Sequence, residues 1–374
     1  MRFHLFRFIF ILAIVGAQFQ MAFCQSDAEL QKRVGEIAAA NAADDNFSGS
    51  VLLAKNGKLV YEKSFGFADK EKRAPFTEQT ASNIASVGKV FTSVMILQLA
   101  EEKKLALSDS IHKFLPNTKI PNADKITVHH RLTHTSGLGS YMRHDDYPEL
   151  LKNKIEIDEI ARLIERQPLV FNAPGEKFEY SNSGYIVLGK IIENITGKKY
   201  ADVLNERIIR RLGLKNTRLE FDRNDFRGLA KGYLKPTPAD AWQSNEKQMP
   251  TPSADGGVFT TAKDLFAFDQ ALFGGKLLKK ESLELMKNRH AEMSVPGLGK
   301  MNYGYGLMIR DYPNNFYSVG HNGGTPGYGT EFQHYRAGQD EFTLIVISNY
   351  DRRVRGVMLE IQKEILKAPG NKTN

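Results

Sequence analysis

The sequence predicts an α+β fold, in which helices flank an antiparallel sheet that is joined to a mainly α-helical subdomain. Strand-like segments with turn signals lie near both ends of the chain, whereas the long middle stretch has mostly helical periodicity. The chain has 374 residues, of which 41% are hydrophobic, so a large core can form. We therefore expect one sheet assembled from both termini, with a helical region inserted between them.

The first elements after the N-terminal segment are predicted to be a helix and a hairpin. Residues 27–43 have apolar side chains at helical spacing. Two strand-like runs, 50–55 and 58–65, flank the pair Asn56-Gly57. Because this pair tolerates the positive φ angles of a tight turn, it gives the clearest hairpin signal in the chain.

The remaining elements are predicted from the same signals. Helices are expected over 86–102, over 182–196 with Gly197 as the C-terminal residue, from Thr261 to Gly274, and over 353–366. Strands are expected over 303–309, 316–320, 330–335 and 342–348. We assign the sheet-bearing subdomain to residues 25–85 and 255–374, and the helical subdomain to residues 86–254.

The first residues have the layout of a secretory signal peptide. Arg2 and Arg7 precede or flank a short apolar run, and no acidic residue occurs before Asp27. The run is shorter than the roughly 20 residues that span a bilayer. We expect cleavage after Cys24, which makes residues 1–24 the signal peptide and directs the protein to the periplasm or the medium. Lipid attachment at Cys24 is the alternative, and it implies membrane anchoring.

Composition excludes several classes of protein. Cys24 is the only cysteine, so the chain can form neither a disulfide framework nor a cysteine-based zinc site. The formal charge of +8 falls to +6 after cleavage and is spread along the chain, which argues against nucleic-acid binding. His129, His130 and His134 lack the glutamate of a zinc-protease motif, so we expect packing and loop-bracing roles and no metal.

One short motif, S-x-x-K, can support nucleophilic catalysis. It occurs at Ser86 to Lys89, Ser110 to Lys113 and Ser244 to Lys247. A proline soon follows the second and third copies, whereas Ser86 opens a long apolar-periodic helix. Residues three apart share a helix face, so the Lys89 amine can reach the Ser86 hydroxyl and assist its deprotonation. Taken alone, the match is more typical of a surface serine and lysine at a helix start than of a catalytic pair.

Two further segments supply polar groups for such a site. In Y-S-N, Tyr180 can share the proton of Ser86, and Asn182 can offer its amide to a substrate carbonyl. In H-N-G-G, the N–H group of Gly324 can pair with that of Ser86 as an oxyanion hole. Asp255, before two glycines, is expected to be a turn residue.

The order S-V-G-K, L-T-H-T-S-G-L, Y-S-N and H-N-G-G resembles the serine β-lactamase and penicillin-binding superfamily. The likeness is strongest to its class C branch, which includes DD-peptidases and esterases. Further similar stretches are P-G-E-K-F-E-Y-S-N at 174–182, G-G-V-F-T-T-A-K-D-L at 256–265 and G-H-N-G-G-T-P-G-Y at 320–328. The similarity covers essentially the whole mature chain and implies a β-lactamase/transpeptidase-like fold.

The resemblance implies a role for each matching residue. Ser86 is the acylated nucleophile, and Lys89 and Tyr180 form the proton-handling pair, of which either can be the base. Asn182 contacts the substrate amide, while His321, Gly323 and Gly324 edge the site and bind substrate. No metal or organic cofactor is implied.

One departure from the family pattern affects the expected substrate. Related β-lactamases carry K-T-G where this sequence has His321-Asn322-Gly323. An imidazole is mostly neutral above its pKa of about 6.5, so it provides no fixed charge for a β-lactam carboxylate. We expect an exported serine hydrolase that acts on an ester or amide of a small molecule or peptide, of the DD-carboxypeptidase or esterase type. The alternatives are a β-lactamase proper and a penicillin-binding sensor that does not turn over.

Overall fold

The computed structural model describes residues 27–150, 155–219, 227–237, 240–245, 249–295, 298–313, 315–350 and 354–367. The predicted signal peptide, with Cys24, lies outside these residues. Among the helices described, none is both long and apolar enough to cross a membrane.

The described residues form helices and strands of widely different lengths and one extended sheet. Strands β1 to β14 span, in chain order, Gly49–Lys55, Lys58–Phe65, Phe67–Asp69, Ala74–Pro75, Ser82–Asn83, Tyr233–Leu234, Gln243–Ser244, Phe259–Thr260, Ala291–Val295, Gly299–Tyr303, Met308–Tyr312, Phe316–Thr325, Tyr328–Ala337 and Asp340–Ser348. Helices α1 to α12 span 27–42, Gly88–Glu101, Ile111–Phe114, Val128–Leu132, Tyr147–Leu150, Ile157–Glu165, Asn182–Thr196, Tyr200–Leu204, Arg210–Leu212, Ala262–Phe273, Lys280–Lys287 and Val354–Lys367. A π-helical segment, Asn205–Ile209, joins α8 to α9.

The large sheet is built from both ends of the chain. Its eight strands lie in the order β2-β1-β14-β13-β12-β11-β10-β9, and each neighbouring pair is antiparallel. β1 pairs with β14 along its whole length, with Val51 opposite Val346. The sheet assembled from both termini is therefore present as predicted.

Helices cover both faces of the sheet centre. Val51 and Leu53 of β1 pack in one hydrophobic cluster with α1 and α12, whereas Leu52 packs in a second cluster with α2, α7 and α10. Side chains alternate across a strand, so a strand that is covered on both faces is apolar at nearly every position. The predicted α+β architecture, an antiparallel sheet flanked by helices, is confirmed. The division into two subdomains stays a prediction, since the second cluster runs from the sheet into α7.

Several local predictions are confirmed by backbone geometry. Asn56 and Gly57 have φ angles of 50° and 73° in the turn between β1 and β2. Gly197, with φ of 67°, caps the C-terminal end of α7, and the Thr261 side chain accepts a hydrogen bond from the Asp264 N–H at the start of α10. In each case the signal is local, because turn and cap conformations depend on neighbouring residues.

The single strand predicted over 303–309 is wrong. β10 ends at Tyr303, and β11 begins at Met308. Between them the Gly304 N–H donates to the Leu307 carbonyl at 2.8 Å, and Gly306 adopts φ of 72°. This turn reverses the chain, so the apolar run contributes to two antiparallel strands.

Candidate active site

Ser86 lies in a short 3₁₀ turn, Ala85–Val87, immediately before α2. Ala85 has φ of 46°, a left-handed conformation that is unfavourable for a residue with a Cβ atom. The Ala85 N–H donates to Asn83 Oδ1 at 2.8 Å, and the Gly257 N–H donates to the Ala85 carbonyl at 3.2 Å. The serine is therefore held on a strained turn that the surrounding chain fixes.

Lys89 connects the serine to two distant segments. Its side chain is fully buried, and Nζ donates to Ser86 Oγ at 3.1 Å, to Asn182 Oδ1 at 2.8 Å and to the Asp255 carbonyl at 2.6 Å. A lysine ammonium has three N–H donors, and these three acceptors match them. The structure thus brings Ser86, Lys89 and Asn182 together as the sequence predicts.

The start of α7 brings Tyr180 to the same place. Ser181 caps the helix, since its hydroxyl accepts from the N–H three residues later. Lys89 Nζ lies 5.0 Å from the centroid of the Tyr180 ring, within the range of a cation–π contact. The His134 ring packs on Tyr180 with a centroid distance of 4.3 Å, and His134 Nδ1 accepts from the Ser181 N–H at 3.0 Å. This contact shows the loop-bracing role expected for His134.

Strand β12 places its three predicted site residues in different surroundings. The His321 side chain is fully buried, and its Nε2 shares a hydrogen bond with the Tyr303 hydroxyl at 3.0 Å. Gly323 packs so closely that a Cβ there would lie 2.2 Å from the Ile84 carbonyl oxygen. Gly324 is exposed and lines the pocket beside Ser86. A direct substrate contact by His321 stays a prediction, because the imidazole is buried behind the strand.

Burial and the nearby lysine keep both histidines of the site uncharged. Burial, with a smaller contribution from the charge of Lys89, lowers the pKa of His321 to about 3. The same two causes hold the pKa of His134 well below its usual value. At neutral pH, Lys89 is therefore surrounded by neutral rings.

We expect His321 to weaken the fold in acid. The unfolded chain binds this proton near pH 6.5 and the folded chain only near pH 3, so the free energy of unfolding falls as the pH falls through this interval. His321→Gln should recover about 2 kcal/mol of the stability lost between pH 7 and pH 4.5. Urea unfolding at both pH values measures the difference. The exposed His112→Gln is the control, and an unchanged acid loss in His321→Gln contradicts the prediction.

A pocket of about 190 Å³ opens beside Ser86. Its polar lining includes Ser86, Asn182, Asp255 and Gly324. The larger side chains of the lining are Tyr141, Met142, Tyr147, Pro250 and Pro326. The cavity is thus mostly apolar, with polar groups gathered near the serine, as in sites that bind small molecules.

Sequence reasoning missed part of this lining. Tyr141, Met142 and Tyr147 belong to a segment without a recognisable motif. Asp255, expected to be a turn residue, is 5% exposed and lies in the pocket wall. The signal in the sequence that could have placed Asp255 at the site is the glycine that follows it. A Cβ at Gly256 would lie 2.6 Å from the Ala85 carbonyl oxygen, so this segment packs directly on the turn that carries the serine.

The other two histidines of this segment, His129 and His130, form hydrogen bonds with protein groups. His129 Nδ1 shares a hydrogen bond with the Tyr305 hydroxyl at 2.8 Å, and His130 Nδ1 accepts from the Thr127 N–H at 3.2 Å. Within the described ranges, no group of three or more His, Cys, Asp or Glu side chains is placed to hold a metal ion.

Comparison with known proteins identifies the family. Residues 35–364 match the family model described as Beta-lactamase. The chain belongs to the Beta-lactamase family. The resemblance to the serine β-lactamase and penicillin-binding superfamily is therefore confirmed, and with it membership of a family of serine hydrolases.

Relatives and solved structures support the same assignment over most of the chain. Penicillin-binding protein 4* of Bacillus subtilis (strain 168) is 30% identical over 337 residues, covering 86% of this chain and 71% of that protein. Teichoic acid D-alanine hydrolase of Staphylococcus aureus is 30% identical over 291 residues, covering 73% and 69%. The crystal structure of D-amino acid amidase from Ochrobactrum anthropi SV3 superposes with a TM-score of 0.75 at 25% identity, covering 91% and 99%. The predicted β-lactamase/transpeptidase-like fold is confirmed.

Proposed function

We propose that the protein is an exported serine hydrolase that forms an acyl-enzyme through Ser86 on an amide or ester. The observation that carries the proposal is the contact of 3.1 Å between Lys89 Nζ and Ser86 Oγ at the wall of the pocket. A serine hydroxyl becomes an effective nucleophile when a neighbouring group accepts its proton. Lys89 as the neutral amine, or Tyr180 as the phenolate beside the Lys89 ammonium, supplies that group.

The proposed reaction has two steps. Ser86 Oγ attacks the substrate carbonyl carbon, and its proton passes to the base of the coupled pair, either a Tyr180 phenolate beside the Lys89 ammonium or Lys89 as the neutral amine. The C–N or C–O bond then breaks and the leaving group takes up a proton, which leaves an ester on Ser86. Water attacks this ester, the carboxylic acid leaves, and the serine hydroxyl is restored. The N–H groups of Ser86 and Gly324 stabilise the oxyanion, and Asn182 contacts the substrate amide.

Peptidase, amidase or esterase action, within a class C or S12-peptidase type of site, fits better than β-lactamase action. His321 stands where related β-lactamases have a lysine, and burial lowers its pKa to about 3. At neutral pH this position therefore has no positive charge to attract a β-lactam carboxylate. One relative is named for D-alanine of teichoic acid and one similar structure for D-amino acid amides. These names support a D-amino acid ester or amide as substrate.

We propose that the mature protein begins at Gln25, after removal of the signal peptide, and works in the periplasm or the medium. The arginine-flanked apolar run before Cys24 supports this proposal. Intact-mass analysis of the protein expressed in a bacterial host tests it. A mature mass that starts at Gln25 is expected, whereas a lipidated Cys24 at the N-terminus contradicts cleavage after Cys24 and indicates a membrane anchor.

Ser86→Ala is expected to lower hydrolysis of D-alanine esters and amides by at least about a thousandfold. The first measurement is intact mass after mixing with these substrates and with a penicillin, while hydrolysis is followed. Ser110→Ala, in a second S-x-x-K segment, is the matched control and should retain activity. A persistent penicillin adduct without ester or amide hydrolysis identifies a non-turnover sensor. Equal hydrolysis by wild type and Ser86→Ala contradicts the proposed function.

A further inference from the structure

The pocket beside Ser86 contains a carboxylate that the proposed acyl transfer does not use. Asp255 lies in the pocket wall and is 5% exposed. Its Oδ2 accepts a hydrogen bond from the Tyr141 hydroxyl at 3.1 Å, and Tyr141 also lines the pocket. Among the described side chains, the hydrogen-bond donor to this carboxylate is therefore a neutral phenol rather than a lysine or arginine.

A carboxylate in such surroundings favours a cationic partner. Removing a charge from water is unfavourable unless an opposite charge or several donors compensate for it. Burial raises the pKa of the Asp255 carboxyl, and the charge of Lys89 opposes this shift. An ammonium group that enters the pocket can pair with the carboxylate and offset part of the unfavourable burial.

The position of Asp255 relative to Ser86 decides which part of a substrate meets it. Lys89 Nζ contacts both Ser86 Oγ, at 3.1 Å, and the Asp255 carbonyl oxygen, at 2.6 Å. Lys89 Nζ thus bridges the backbone of Asp255 and the nucleophile. The α-carbon of a substrate is one bond from the carbonyl that Ser86 attacks. Asp255 and Ser86 line the same pocket, so a substituent on that α-carbon can reach the Asp255 side chain within the pocket.

We propose that Asp255 binds the free α-ammonium group on the acyl half of the substrate. The site then selects amides and esters of unacylated amino acids over N-acylated ones, such as the acyl halves of longer peptides. Acylation removes the positive charge and adds bulk beside Tyr141 and Met142. This inference rests on the proposed function and narrows its substrate class.

Three p-nitroanilides separate charge from bulk in the wild-type protein. D-Alanine p-nitroanilide carries the ammonium, propionyl p-nitroanilide lacks it without added bulk, and N-acetyl-D-alanine p-nitroanilide lacks it with added bulk. At pH 6.5, below the usual α-amino pKa of about 7.7 to 8.0, kcat/KM for the first should exceed both others by about tenfold or more. Equal values for the first two overturn the inference, even when all three acylate Ser86.

Two variants assign the preference to the carboxylate. Asp255→Asn keeps an acceptor for the Tyr141 hydroxyl but removes the charge, so the ratio of kcat/KM between the first two substrates should fall about tenfold or more. Tyr141→Phe removes the hydroxyl but keeps the carboxylate, so the ratio should persist. A preference that survives in Asp255→Asn, or that disappears equally in both variants, overturns the inference.

The wild-type comparison needs no variant, so it tests the preference for a free α-ammonium group even if Asp255→Asn folds poorly. Intact-mass measurements distinguish a failure of the proposed role of Asp255 from a failure of the proposed function. Acylation of Ser86 by all three substrates at equal rates overturns the role of Asp255 alone. Absence of acylation by any amino acid ester or amide overturns the proposed function and this inference with it.

Discussion

Lys89→Met is expected to lower kcat/KM for a D-alanine ester by at least about a thousandfold, with little acylation of Ser86. Methionine has a similar length and fills the buried space, but its side chain has no N–H group. Ser86 Oγ, Asn182 Oδ1 and the Asp255 carbonyl then lose their shared donor. The serine loses the partner that handles its proton, and Asn182 loses the contact that orients its amide. Steady-state kinetics, the rate of acylation by intact mass and a thermal unfolding curve measure the effect.

A second lysine in the same sequence pattern provides the control. Lys113 follows Ser110 by three residues, as Lys89 follows Ser86. However, Lys113 is 57% exposed and pairs with Asp109 at 2.8 Å on the surface. Lys113→Met should therefore leave kcat/KM unchanged. If Lys89→Met retains activity within about tenfold of wild type, Lys89 does not handle the proton.

Gly323→Ala is expected to lower kcat/KM about a hundredfold or more and to destabilise the fold by about 1–3 kcal/mol. The new Cβ would lie 2.2 Å from the Ile84 carbonyl oxygen, which is backbone and cannot rotate away. Strand β12 must then move away from the serine turn. The N–H of Gly324 moves with the strand, which widens the proposed oxyanion hole. Kinetics on the D-alanine ester and urea unfolding measure the two losses.

A second glycine, whose surroundings leave room for a Cβ, provides the control for Gly323→Ala. Gly356 lies on α12, and a Cβ there meets nothing within 4 Å. Gly356→Ala should keep activity and raise stability by about 0.5–1 kcal/mol, since alanine favours a helix. Wild-type kinetics in Gly323→Ala would show that the close packing of β12 on the serine turn is not needed for activity.

Local structure followed from the sequence because its causes are local. The Asn56-Gly57 turn and the Gly197 helix end depend on the backbone freedom of one or two residues. The proximity of Lys89 to Ser86 follows from their spacing of three residues at a helix start. The strand pattern at both ends of the chain, with helices between, also predicted the architecture, because strands covered on both faces are apolar throughout.

The complete site required contacts between distant segments. Asn182 is 93 residues from Lys89, and its proximity was implied by the family motif rather than by spacing. Asp255 meets Tyr141 across 114 residues, and no motif marks either residue for the pocket. The apolar run 303–309 was predicted as one strand, but a turn at Gly306 separates the end of β10 from the start of β11.

The sequence by itself thus determined the longer helices, several strands of the large sheet and the serine–lysine pair, since propensity, capping and short spacing act between neighbours, and its motifs determined the family. Only the tertiary structure decided that His321 is buried and neutral, that Gly323 packs on the serine turn and that Asp255 faces the pocket. Burial and electrostatic surroundings are set by segments that meet only when the chain is folded, and these surroundings decide the charge of each group.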